Sequence, residues 1–274
     1  MPADMVLQGT DHGGAGSSGM PRQQTSRLSH RLTILTYNIH SCRGADGVVN
    51  PARIAKVIES CSPDIVALQE VDVGRRRSGG IDQARAIANH LRMDSHFHPA
   101  LHLSDEKYGD AVLTRLPSRL VKAGMLPSIG EPRGAVWVCV DVEGTEFHVI
   151  NTHLGLRRRE RMMQVAALLG PGWLSHPEIL GRPAVLVGDF NCVPSSAPYR
   201  AITRFWPATG STALTRPKPT FSSRFPILRL DHIFTGPHVA QISTMVERGA
   251  TARAASDHLP LVMRVEVTSA SELG

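Results

Sequence analysis

The chain has 274 residues, of which 42% are hydrophobic and 20% charged, so a sizeable core can form and the composition is that of an ordinary soluble globular protein. No apolar stretch approaches the length needed to span a bilayer, so no stable membrane insertion is expected. The formal net charge is +6, carried mostly by arginine; charge alone reads as a solvated basic surface, with an anionic substrate as the alternative.

Residues 1–30 are rich in Gly, Ser and Gln and are expected to be a disordered tail. They show no basic region followed by an apolar run, so no secretory signal is visible and a cytoplasmic location is expected. Order is expected from Leu32, where LTILTYN reads as a buried strand. Asn50-Pro51 then supplies an N-cap and a proline at the first helical position. Ile54, Val57, Ile58 and Cys61 follow at helical spacing, and Pro63 ends the helix. DIVALQEV is the next strand, residues from about 82 to 91 a helix, and AVLTRL a strand. AVWVCVDV and FHVINTHL, separated by Glu143-Gly144-Thr145, read as a hairpin on a glycine turn. A helix follows at about 157–169, then the strands AVLVGDF, LDHIF, ISTMVE and LVMRVEV. Residues 269–274 are expected to be a short C-terminal tail, leaving a single catalytic domain over 31–268.

Strands apolar on both faces and interleaved with helices indicate an α/β fold whose sheets are covered by helices. The glycine-turn hairpin makes some pairing antiparallel, so a purely parallel doubly wound sheet fits less well. The four cysteines, at 42, 61, 139 and 192, are too dispersed for a zinc site or a disulfide framework.

Acids, amides and histidines gather at the ends of the apolar runs: Asn38, Glu70, Asn151, His153, Asp189, Asn191, Asp231, Asp257 and His258. Loops at strand ends on a rigid scaffold are where binding and catalytic groups are found. Glu70, closing an apolar run, is either an exposed acid past the strand end or a carboxylate that holds a cation. If the chain stays extended at Asp189-Phe190-Asn191, the two polar residues share a face and Phe190 points to the core; the alternative is an Asx turn leaving the strand. Asp257 and His258 are adjacent and have separate roles, so a histidine base needs another carboxylate to orient it, for which Asp231 is the candidate. Hard oxygen donors without thiolates suit Mg²⁺, or Mn²⁺, and a hard cation beside a histidine base points to phosphoester hydrolysis.

TYNIH, DIVALQEV, GDAVLTRLP, NTHL, GDFN, LDHIF and SDHLP occur in that order between Leu32 and Val267. In these motifs the chain resembles the endonuclease/exonuclease/phosphatase (DNase I-like) superfamily, and EPRGAVW and TFSSRFPILRLDHIF resemble a group of small bacterial members. The resemblance implies a four-layer α/β sandwich, two packed mixed β-sheets flanked by helices. It implies Mg²⁺ at Glu70 with Asn38 and Asp257 nearby, and His258 as the catalytic histidine oriented by Asp231. His153 and Asn191 would contact the scissile phosphate, and Asp189 would position the water or the leaving group. Relatives are interpreted differently on whether Asp189 or His258 is the base, and the reading taken here is His258.

Arg133 and Arg229 are candidate phosphate contacts. Two positions depart from the family pattern: Asp110 stands where Asn is frequent and is expected to add negative charge near the site, and His232 stands where Tyr is frequent. Arg157, Arg158, Arg159 and Arg161 crowd the start of a helix, against the macrodipole preference, as either a solvent-facing run or an anion-attracting cluster. The expected partner is a phosphoester substrate, either nucleic acid or a phospholipid or small phosphate. Few aromatics count against stacked single-stranded bases, and the lack of a clear amphipathic anchor against tight membrane attachment. A non-catalytic binding module is disfavoured because every motif acid and histidine is present.

Overall fold

Strands buried on both faces decide this architecture, because successive side chains on them point to opposite sides and both sides must be covered. In the computed structural model, which describes residues 29–207 and 218–269, strand β6 (Arg133–Val142) sends Val136, Val138 and Val140 to one core and Ala135 and Trp137 to another. Strand β8 (Ala184–Asp189) divides in the same way, with Val185 and Val187 on one face and Ala184 and Leu186 on the other. A sheet apolar on both faces needs a layer on each side.

Those layers are a second sheet and helices. Strands β1 (Ser29–Asn38), β2 (Ile65–Val73), β3 (Asp94–Leu103), β4 (Glu106–Thr114), β10 (Val239–Val246) and β11 (Leu261–Thr268) form a six-stranded sheet in the order β10-β11-β1-β2-β4-β3. Strands β5 (Ser118–Leu126), β6, β7 (Thr145–His153), β8 and β9 (Asp231–Thr235) form a five-stranded sheet in chain order. Pairs β1–β2 and β7–β8 are parallel and the other pairs antiparallel, so both sheets are mixed. Helices α1 (Pro51–Ser60), α2 (Gln83–Leu91) and α5 (Ala250–Ala255) contribute Ile54, Ile58, Ile87 and Ala252 to the core of the first sheet. Helices α3 (Arg158–Leu169) and α4 (Ala197–Phe205) cover the outer face of the second with Val165, Leu168 and Ile202. The result is the four-layer sandwich of two mixed sheets flanked by helices.

Local signals hold where they were strong. The Asn50 side chain accepts a hydrogen bond from Arg53 N at 3.0 Å, and Asp82 accepts from Arg85 N at 2.9 Å, so both helices start at side-chain caps. Glu143 and Gly144 take positive φ at the β6–β7 hairpin. The chain enters its first strand at Ser29, three residues before Leu32, so Ser29 and His30 belong to β1 and not to a tail. Residues 1–28 and 270–274, read as tail segments, lie outside the described residues.

Strand β2 does not stop at Glu70. Leu68 pairs with Ala111 and Val71 with Gly109, so Gln69 and Glu70 together oppose the single residue Asp110. This is a β-bulge, with Glu70 at φ 59°. Backbone groups at such a bulge lose ladder partners, and Asn151 on the facing sheet helps to satisfy them. Its Nδ2 donates to Leu68 O and to Ala111 O, both at 2.9 Å, while its Oδ1 accepts from Gln69 Nε2 at 2.7 Å. Both amides are fully buried, so each lost bond would leave an unsatisfied group. Replacing Asn151 with Leu is expected to lower unfolding free energy by about 3 kcal/mol in urea titration; an unchanged midpoint and slope would show that the amide does not brace the bulge.

Candidate active site

The bulge turns Glu70 toward the opening between the two sheets, where it lines a cleft of about 520 Å³ with Arg133, His153, Asn191, Asp257 and His258. Asn38, at the end of β1, connects the sheets from beneath. Its Nδ2 donates to Glu70 Oε1 at 2.9 Å and to Asp189 Oδ2 at 3.0 Å, while its Oδ1 accepts from His40 N at 3.0 Å. The face that Asn38 presents to the two acids is therefore its amide nitrogen.

The chain does not stay extended after β8. Asn191 has φ 47°, and Asp189 Oδ1 accepts from Asn191 N at 2.8 Å, which is the Asx turn. The turn still brings the polar pair together, and Phe190 is fully buried as expected. Gly188 is required before it: at φ +146° a Cβ there would lie 1.9 Å from Thr152 O.

His258 Nδ1 bonds Asp231 Oδ2 at 2.9 Å, and its Nε2 lies 3.6 Å from Asp189 Oδ2. Burial disfavours the charged ring, but Asp231, Asp189 and Asp257 outweigh it and raise the pKa to about 10. Burial pushes Asp189 up to about 7, with the charge of His258 acting against it and Asp231 adding to it. Asp189, Asp231 and His258 have ligand atoms within 4.8 Å of one another, but the Asp231–His258 bond already occupies Nδ1, so the trio reads as a histidine held between two acids.

His153 is held in one tautomer. A guanidinium only donates, so the 2.9 Å contact with Arg133 Nη1 makes His153 Nδ1 the acceptor and puts the ring proton on Nε2. Burial, reinforced by the charges of Arg133 and His258, lowers its pKa well below the ordinary value and keeps it neutral. Nε2–H then meets Asn191 Nδ2, a second donor, at 3.0 Å, with Asp189 Oδ2 at 3.5 Å. Two donors facing one another at the cleft wall suit an incoming oxygen that accepts from both.

Six of the ten sequence-assigned residues thus face the cleft, and Asn38, Asp189 and Asp231 support it from behind. Arg229 does not line it, although its neighbour Leu230 does. Arg133 does, but its Nη1 is engaged by His153 and by Glu131 at 3.0 Å. Sequence reasoning missed Arg43, Arg77 and Tyr108, which also line the cleft, because none sits in a polar cluster at the end of an apolar run. It also missed the positioning role of Asn151. Arg161 donates to the carbonyls of Gly155 and Leu156, which separates it from the exposed Arg157, Arg158 and Arg159.

The two departures from the family pattern are both buried. Burial pushes the Asp110 carboxyl up to about 8, so near neutrality it holds its proton and does not add the negative charge expected of it. His232 sits beneath Phe190 and Tyr199 with Nε2 on Cys192 O at 2.8 Å, and burial lowers its pKa to about 3. A further cluster, Cys139, Glu146 and His148, has ligand atoms within 4.8 Å. Trp137 Nε1 donates to His148 Nδ1, which leaves the ring proton on Nε2, and Arg119 and Arg182 engage Glu146, so this set is not free to ligate.

The model of the endonuclease/exonuclease/phosphatase family matches residues 35–258, from the first strand through His258. The chain belongs to that family. The activities in the family's name all break phosphoester bonds, and the chain is an enzyme of that hydrolase class. Family members generally depend on a divalent metal. The uncharacterized protein YbhP of Escherichia coli K12 is 28% identical over 259 residues, covering 89% of this chain and 99% of that protein. Among solved structures, an endonuclease/exonuclease/phosphatase from Beutenbergia cavernae is similar with a TM-score of 0.71 and 25% identity, over 88% of this chain and 72% of that one. The human Nocturnin catalytic domain shares the fold, with a TM-score of 0.66 and 20% identity over 89% and 98% of the two chains.

Because the folded Asp110 carboxyl titrates near 8 against an ordinary 3.8, the native state holds a proton that the unfolded chain releases, and stability falls as pH rises through that window. Asp110→Asn removes this penalty. The Tm of the variant relative to wild type is expected to increase from mildly acid to mildly alkaline pH; a pH-independent difference would show that Asp110 is ionised throughout.

Proposed function

We propose that the chain is a Mg²⁺-dependent phosphoesterase, with Mn²⁺ able to substitute, that hydrolyses a phosphodiester, or a phosphomonoester, by histidine-activated attack of water. The observation that carries this reading is the single cleft in which the Asp231-held His258 faces Glu70 and Asp257. Neither acid has a Lys or Arg ion-pair partner among the described residues; Asp257 Oδ1 has His40 Nδ1 at 3.8 Å and accepts from Ser256 Oγ at 3.4 Å. Unpaired carboxylates aimed into one cleft fit a hard divalent cation. Glu70 and Asp257 would hold it, with Asn38 fixing the Glu70 carboxylate. A divalent cation there would neutralise phosphate charge and offset the carboxylate field that keeps His258 protonated.

The chain's own groups do the rest. His153 Nε2–H and Asn191 Nδ2–H donate to the non-bridging phosphate oxygens, where charge grows in the transition state. His258 Nε2 accepts the proton of the attacking water, and Asp231 stabilises the resulting imidazolium through Nδ1. Asp189, 3.6 Å from the same Nε2, positions the water or the leaving group. The similar fold of a mannosyl-6-phosphatase from Bacteroides thetaiotaomicron, with a TM-score of 0.61 and 21% identity, is consistent with phosphoester chemistry.

Hydrolysis of bis(4-nitrophenyl) phosphate should require added Mg²⁺ or Mn²⁺ and vanish with EDTA. His258→Ala and Asp231→Asn should each lower kcat by roughly 10²–10⁴-fold while leaving the thermal melt cooperative. Wild-type turnover by His258→Ala would sink the histidine mechanism, and full turnover in EDTA would sink the metal.

A further inference from the structure

At the mouth of the cleft a short loop exposes large apolar side chains on a braced backbone. Phe221 and Leu228 close the loop with reciprocal hydrogen bonds of 2.9 and 2.8 Å, and Phe221 also packs its ring 4.9 Å from that of His258. Ser223 N donates to Asp257 O at 2.6 Å, and Arg253 Nη1 donates to Ser223 O and Arg224 O at 3.1 and 3.2 Å. The loop is thus tied to both residues of the Asp257-His258 pair.

At its tip Phe225 is 78% exposed and Ile227 79%, with Leu228 half as much. Leu156, which lines the same cleft as Phe221 and Leu230, is 73% exposed. Single exposed apolar residues need no explanation, but a group held around the entrance to a polar site marks an interaction surface. Exposed cations accompany it: Arg224 lies beside Phe225, and Arg157, Arg158 and Arg159 follow Leu156, with no ion pair to any of the four among the described residues. Apolar side chains flanked by arginines match the two parts of an anionic lipid surface, acyl boundary and headgroup. A nucleic acid would use the arginines but leave Ile227, which has no ring to stack, without a partner.

We propose that the loop at Phe225 and Ile227 is an interfacial docking element that seats the cleft on an anionic lipid surface, so that the phosphoester cleaved belongs to an amphiphile presented there. This rests on the phosphoesterase reading for the cleavage but not for the docking. The loop is not an amphipathic helix.

Sedimentation with phosphatidylcholine vesicles, with and without phosphatidylglycerol, tests the docking in EDTA, where turnover plays no part. The full chain should bind the phosphatidylglycerol vesicles, and Phe225→Ser with Ile227→Ser should weaken that binding about tenfold or more, since two apolar side chains no longer leave water. The same double variant should keep the wild-type melt and its turnover of the soluble bis-ester. Absence of vesicle binding by wild type, or equal binding by the variant, overturns the proposal. So does retention on a DNA or RNA oligonucleotide, with loss in the variant and none on vesicles, which would assign the loop to nucleic acid.

Discussion

The buried hydrogen bond between Gln69 Nε2 and Asn151 Oδ1 joins the two sheets at the position where β2 carries one residue more than its neighbour. A bulge in a doubly covered strand would otherwise expose carbonyls to an apolar core, at a cost of about 1–3 kcal/mol for each group left unpaired. With Asn151 in place the extra residue is tolerated, and Glu70 takes a left-handed backbone conformation that ordinary strand geometry would not give it. The opening between the sheets acquires its acid from this one local irregularity. Asn38 then links that acid to Asp189 across the same gap, so the positions of both carboxylates follow from inter-sheet amide bonds.

Electrostatically the cleft is a concentration of acids around one histidine ring within a basic protein. Glu70, Asp189, Asp231 and Asp257 gather where His258 is the group whose pKa is driven upward, and His153 is driven the other way by burial and by Arg133. Two histidines in one site are thereby driven in opposite directions, one raised between carboxylates and one kept a neutral donor aimed at the cleft. Environment sets the two roles, since the side chains are chemically identical.

Much of this was legible in the sequence because it depends on local pattern. Asn50-Pro51 marked a helix start, Glu143-Gly144 a hairpin, and the runs of apolar residues the strands that are covered on both faces. The elements that escaped notice lack such a pattern. β3 and β5 are edge strands, and β5 carries a lysine and a glycine with only Leu126 buried, while α4 and α5 are nine and six residues long. At the site, ordered motifs singled out the cleft acids and histidines, but not the geometry that brings them together. The bulge at Gln69-Glu70 is a register difference between two strands, invisible in either strand alone. The neutral Asp110 is a consequence of burial, and the tautomer of His153 depends on an arginine twenty residues earlier.

The central claim is that the bulge aims Glu70 into the cleft as the principal ligand of a divalent cation. Isothermal titration of Mn²⁺ into the wild-type chain and into Glu70→Gln measures this without any substrate. Glu70→Gln preserves shape and the possibility of a hydrogen bond to Asn38 while removing the charge. The account predicts saturable binding by wild type and its loss in the variant at unchanged thermal stability; equal binding by the two proteins would contradict it.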